Sequence, residues 1–173
     1  MKKILLPSFS ILLVGVAALL LVWLAMENFP AAGSMAIKAV LGRSLPMISS
    51  LGPEVRTKLT PDYQAILESP VYFDLRAMPW FNKAIVTIVY QEVGNHVLVG
   101  LGRHTGPDFN FQLAKADSVA TLASGDKKAV FRVNLQDFYQ QKNIYRFLLD
   151  TSNHQYQTGS ELRIKSLNVV LSK

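Results

Sequence analysis

Trp80, Arg103, His104, Asp108, His154 and Tyr156 are the residues whose types and spacing could do chemistry. Arg103, His104 and Asp108 share a short stretch with Gly100, Gly102 and Gly106. A guanidinium and an imidazole placed together can hold a carboxylate or the hydroxyls of a sugar. The glycine spacing differs from a dinucleotide fingerprint and no helix is expected after it, so the stretch reads as a turn-rich hairpin loop. Trp80 lies in Ala77-Met78-Pro79-Trp80-Phe81-Asn82. Exposed, it could stack on a sugar ring or anchor a partner protein; the competing reading is that Trp80 or Phe81 plugs the open end of a core. Residues 150–160 carry small polar groups around His154 and Tyr156, a composition that suits an adaptable binding loop or an idle surface loop.

Other chemistry finds little support. The chain has no cysteine, which excludes disulfides, thiolate metal sites and a cysteine nucleophile. His104 and His154 could ligate a metal with Asp108 or Asp150, but zinc takes three or four ligands and His96 is expected at the opposite end of the domain. No metal is assigned. Calcium, held by loop carboxylates and carbonyls, needs no fixed motif and is the one ion left open. There is no Gly-x-Ser-x-Gly elbow, no phosphate-cradling loop and no His-Glu-x-x-His. A pair of carboxylates for glycoside hydrolysis is a matter of distance, and no pair stands out. An enzyme is not expected.

The elements that position these residues begin with a membrane segment. Residues 4–26 hold no charge, and only Pro7, Ser8, Ser10 and Gly15 interrupt the hydrophobic run. At about 1.5 Å per residue such a helix crosses a hydrocarbon core of about 30 Å. Lys2 and Lys3 precede it and Glu27 follows, so the positive-inside bias puts residues 1–3 in the cytoplasm and the remainder outside the cell membrane. Trp23 suits the interfacial belt. A cleaved signal peptide is the alternative, with Ala31-Ala32-Gly33-Ser34 as the site, although its apolar core is normally about 7–15 residues; a buried core helix is a third reading. The 18 basic and 12 acidic residues give +6, and +4 without Lys2 and Lys3. These charges are scattered with no basic stripe, so nucleic acid is not expected as a partner.

Residues 27–69 read as a membrane-proximal connector, broken by prolines and glycines but too apolar for a free tether. Met35–Leu41 and Leu45–Leu51 could be short helical pieces, and Thr60-Pro61-Asp62 is a good start for a helix over Pro61–Glu68. From residue 70 the hydrophobic period becomes two. Val71–Ala77, Ala84–Tyr90, Val97–Leu101, Phe109–Leu113, Val119–Leu122, Ala129–Leu135, Tyr145–Leu149 and Leu162–Leu171 read as strands, with Val119–Leu122 the weakest and a phase slip at Lys165-Ser166 read as a bulge. No crossover helix separates them, so residues 70–173 are expected to form an all-β, antiparallel, jelly-roll-like sandwich. With Val119–Leu122 counted as a strand, alternate loops converge, and Trp80, Arg103, His104, Asp108, Lys127, His154 and Tyr156 share one rim.

The opening Val71-Tyr72-Phe73-Asp74-Leu75-Arg76 with Ala84–Tyr90, and the close Tyr145-Arg146-Phe147-Leu148-Leu149 with the bulged Leu162–Leu171, resemble the ends of galactose-binding-like jelly rolls. That superfamily includes many carbohydrate-binding modules and many non-catalytic interaction domains. The resemblance implies a fold over about residues 70–173 and assigns no residue. The reading reached from sequence is a single-pass, membrane-anchored, non-catalytic binding or assembly domain outside the cell membrane, a subunit of a cell-envelope protein complex. The alternative is a surface-displayed carbohydrate-binding module with a glycan as its partner. A pilin-like subunit fits less well, because residues 4–26 lack the glutamate that prepilins carry.

Overall fold

The computed structural model describes residues 5–28, 33–139, 143–152, 155 and 158–173, with side chains left aside at 5–9 and 24–28. The chain divides into two compact units, Met1–Ser34 and Met35–Lys173. The first holds the helix α1, Leu5–Asn28, whose side chains from Ser10 to Trp23 are all exposed. Among the residues described in full no helix is long and apolar enough to cross a membrane; that stretch, 10–23, is about 21 Å of helix against a core of about 30 Å.

The second unit is a sandwich of two antiparallel sheets. The strands are β1 (Ser34–Lys38), β2 (Thr57–Leu59), β3 (Gln64–Ile66), β4 (Val71–Arg76), β5 (Lys83–Val93), β6 (Leu98–His104), β7 (Phe111–Ala114), β8 (Ser118–Thr121), β9 (Lys127–Asn134), β10 (Ile144–Thr151) and β11 (Glu161–Ser172). The seven-stranded sheet runs β2-β3-β11-β5-β9-β8, with β1 also paired to β11; the four-stranded sheet runs β4-β10-β6-β7. Their inner faces meet in one core, where Phe73 stacks on Phe147 at 5.0 Å between ring centroids and Phe138 packs on Phe147 at 4.7 Å.

The alternation read from sequence is the alternation of burial on the main strands. Ala84, Val86, Ile88 and Tyr90 of β5 are buried, as are Ala129, Phe131 and Val133 of β9 and Tyr145, Phe147 and Leu149 of β10. The bulge also lies where the phase slips. The register of β11 on β5 shifts between Ile164 and Ser166, which keeps Leu162 and Ile164 on the same face as Leu167, Val169 and Leu171.

Residues 35–69 differ from the connector that was expected. The two apolar pieces are not helical: Met35–Lys38 lies in β1, and 47–52 runs alongside β4, with Ser49 N–H donating to the Asp74 carbonyl and Gly52 exchanging hydrogen bonds with Tyr72. The helix expected over Pro61–Glu68 is β3. Gln64, Ala65 and Ile66 are buried and pair with β11, so their backbone joins the sheet. Thr60 still acts locally: its hydroxyl accepts from Tyr63 N–H and donates to the Tyr63 carbonyl, closing the β2–β3 hairpin with Pro61 and Asp62 at the tip. The capping signal was read on the right residue, and tertiary pairing turned its helix start into a turn. The helical turn that the described connector does contain, a 3-10 turn at Glu54–Arg56, lies outside all three expected pieces.

Phe147 packs between its cross-strand neighbour Phe73 and Phe138, which follows β9, and is fully buried. Phe147→Ala is expected to cost about 3–5 kcal/mol. Urea unfolding checks this: the midpoint should fall while the slope stays the same.

Candidate functional site

The outward face of the four-stranded sheet carries Tyr72, Asp74, His104, Phe111 and Arg146 side by side. Outward positions follow from the register. Tyr72 lies opposite Leu148, Leu148 opposite Gly102, and Gly102 opposite Leu113. In the next rank Asp74 lies opposite Arg146, and His104 opposite Phe111. Ser49 flanks Asp74 from the 47–52 segment, its hydroxyl accepting from Asp74 N–H at 2.8 Å.

Two glycines let this face lie flat. A Cβ on Gly102 would come within 3.2 Å of Leu148 Cβ and 3.5 Å of Phe111, so Leu148 folds across the bare backbone and forms an apolar floor. A Cβ on Gly100 would meet the Ala114 carbonyl at 2.7 Å, which fixes the close approach of the next strand.

Arg146 and Asp74 form a bidentate pair, Nε to Oδ1 at 2.7 Å and Nη2 to Oδ2 at 2.8 Å. The guanidinium also lies over the Tyr72 ring, 5.1 Å from its centroid. The bond to Asp74 holds Arg146 more firmly protonated than usual, against some loss of hydration. With both carboxylate oxygens committed, the pair presents fixed donors and acceptors at the surface.

His104 donates from Nε2 to the Asp108 carbonyl at 2.6 Å, because a carbonyl can only accept. Its ring packs at 5.0 Å on Phe111 and edge-on at 5.4 Å on Tyr139. Asp108 has φ 65, a left-handed conformation that turns its carbonyl toward the histidine. Asp74, His104, Tyr139, Ile144 and Arg146 line a hollow of about 120 Å³. A second hollow, of about 170 Å³, runs from Asp74, Arg76 and Ile144 to Ser44–Pro46, Ile48 and Ser49. Asp74 and Ile144 belong to both, so the two make one shallow groove across the sheet.

The residues singled out from sequence are not gathered on one rim. His104 and Asp108 are together. Arg103 points to the opposite face of β6, opposite buried Phe147, where it donates to Asp137 at 2.6 Å and Gln112 at 2.6 Å. Trp80 is half exposed beside Phe81, and it is Phe81 that is buried as the plug of the core. Lys127 pairs with Tyr90, toward the far end of β5, and its ammonium is held by Glu92. His154 and Tyr156 lie outside the described residues. Ala114 is opposite Leu101, Ser118 is opposite Val130, and the chain passes from one sheet to the other through Asp117. Val119–Leu122 does contribute a strand, β8. The apolar phase of β7 is reversed as well: Phe109 is 80% exposed and Leu113 51%.

Tyr72, Asp74, Tyr139 and Arg146 were not singled out from sequence. The available signal was the charged and aromatic phase of β4 and β10, opposite charges at outward positions of two strands. Among the described residues no group of three His, Asp or Glu side chains could hold a metal.

No protein-family model matches the chain, and no curated protein matches it. Among solved structures the chain is similar to the carbohydrate-binding module TmCBM27, described for specific mannan recognition. The likeness covers 80% of this chain and 99% of that one, at 9% identity and a TM-score of 0.39. No residue and no ligand is carried over from it.

His96 is fully buried, with Nε2 2.6 Å from the Thr151 hydroxyl and Nδ1 without a side-chain hydrogen-bond partner among the described residues. Burial lowers its pKa from 6.5, opposed by the nearby Ser160 backbone and Glu161 carboxylate. Above about pH 6.5 neither the folded nor the unfolded chain protonates this ring. Below it the unfolded chain takes up a proton that the folded chain resists, so stability falls toward acid. Unfolding free energy measured between pH 7 and pH 5 should decline more steeply in the native protein than in His96→Gln.

Proposed function

We propose that the chain is a membrane-tethered, non-catalytic binding module whose ligand face is the groove on the outward side of the four-stranded sheet, and that its ligand is a neutral glycan. The observation that carries this reading is the Asp74–Arg146 pair set between aromatic rings. A sugar offers hydroxyls, each both donor and acceptor, and flat C–H faces. Asp74 and Arg146 supply fixed acceptors and donors, and His104 with Phe111 and Tyr139 supplies ring surface. The groups are already held by each other, so little side-chain freedom is lost on binding.

The tether is α1. It is 24 residues long, about 36 Å of helix, and its first charged residue is Glu27. Its apolar side chains from Ile11 to Trp23 point in all directions, and a helix apolar on every side needs an apolar phase around it. On this reading Lys2 and Lys3 stay in the cytoplasm and the sandwich stands outside the membrane. Alkaline carbonate extraction tests the tether: the full chain should stay with the membrane pellet, and release into the supernatant would overturn the anchor.

A second reading, an assembly subunit of an envelope complex, is favoured by one feature. β7 is an edge strand with Phe109 and Leu113 exposed beside it, a surface that can add a partner's strand. The two readings separate by mutation. Affinity electrophoresis of the full chain in mild detergent against a panel of neutral polysaccharides should show retardation. It should weaken at least tenfold in Tyr139→Ala and in the double variant Asp74→Asn/Arg146→Gln, with thermal midpoints checked. A folded native protein that no glycan retards sinks the glycan reading. Loss of a co-purifying membrane protein in Leu113→Asp would establish the second.

A further inference from the structure

We infer that the outward face of the seven-stranded sheet carries a separate anion site, in which Lys83 and Arg132 take a phosphoryl group. Lys83 is the first residue of β5, and Arg132 lies opposite Ile85, its near neighbour on the same face. The two cations are therefore diagonal neighbours across the β5–β9 ladder, a spacing of about 7–8 Å between backbones. Both are exposed, and neither has an ion pair among the described residues.

Between them opens a hollow of about 270 Å³, lined by Lys83, Ala84, Ile85, Arg132, Val133, Asn134 and Ser172. The Asn134 side-chain oxygen already accepts from Gln136 N–H, which leaves its amide nitrogen to donate. The hollow thus combines two positive groups, an amide donor and a serine with an apolar floor at Ile85, whose side chain is in the outward phase of β5. It holds no acid. The Asp117 carboxylate lies beside the site and is engaged at 2.5 Å by the Arg132 backbone N–H, while along the outward positions of β5, β9 and β11 the carboxylate is Glu161, bound to Arg163 at 2.6 Å. Lys128, further along the same face of β9, is exposed but does not line the hollow.

Like charges this close repel when nothing lies between them, and an anion seated in the hollow reverses the sign of that interaction. A guanidinium fork and an ammonium both suit the tetrahedral oxygens of a phosphoryl group. The apolar floor suits an organic substituent on it. Two sources present that chemistry, a lipid headgroup and a free phosphate, and the experiment distinguishes them.

The full-length chain in a neutral detergent is titrated calorimetrically with inorganic phosphate and, separately, with dihexanoyl-phosphatidylglycerol below its micelle concentration. Saturable binding is expected, weakened at least tenfold in Lys83→Gln/Arg132→Gln, unchanged in Lys128→Gln, and falling as salt rises. All three substituted positions are on the surface, so thermal midpoints should hold. Lipid binding at least tenfold tighter than phosphate identifies a headgroup; equal affinities identify free phosphate. No saturable binding of either probe, or binding undiminished in the double variant, overturns the site.

Discussion

The pairing of β5 with β11 is the constraint on which the sandwich rests. Each strand is long, each buries one full face, and β3, β1 and β9 attach to the seven-stranded sheet only through them. A two-residue period leaves no tolerance in such a pair, since a slip of one residue would turn a whole apolar set to solvent. β11 meets this with its bulge. One extra residue between Ile164 and Ser166 sends Lys165 outward, where its ammonium reaches the Asp126 carboxylate at 2.7 Å. The same insertion returns Leu167, Val169 and Leu171 to the core. Both outward faces inherit their order from this register: the cationic face lies directly on β5 and β9, and the groove lies on the sheet that packs against them.

What was legible in the sequence follows from the same physics. Strands whose inner face is wholly apolar announce their phase, so β4, β5, β9, β10 and β11 could be read, the bulge included. Short strands could not. β3 has three residues, all buried, and three buried residues carry no period. Its helix-like opening at Thr60-Pro61-Asp62 is chemically the same as a turn opening, and only pairing with β11 decides between them. β7 misled for another reason. Phe109, Phe111 and Leu113 alternate cleanly, but at the edge of the small sheet the apolar phase faces outward, over Gly102 and toward solvent.

The site was half legible. His104 and Asp108 could be paired from their spacing, since a turn of four residues brings a carbonyl back to a ring. Arg103 could not be separated from His104, although adjacent residues on a strand face opposite ways, because the strand was taken to end at Leu101. It continues to His104 because Arg103 finds Gln112 across the ladder and Asp137 beyond it. Asp74 and Arg146 are 72 positions apart in sequence. Nothing local links them, and their pairing is a consequence of β4 lying beside β10.

The two outward faces divide the labour of charge. On the small sheet the cation Arg146 is neutralised in place by Asp74 and shielded by Tyr72, so that face offers oriented hydrogen-bonding groups with little net field. On the large sheet the Lys83 and Arg132 side chains have no ion pair among the described residues, so that face offers a field with little orientation of its own. A neutral, hydroxylated ligand gains from the first arrangement and little from the second. A phosphoryl group gains from the second, while at the first it would have to displace a carboxylate already held by two bonds. Ligand charge therefore selects the face, and the two proposed sites on one sandwich do not compete.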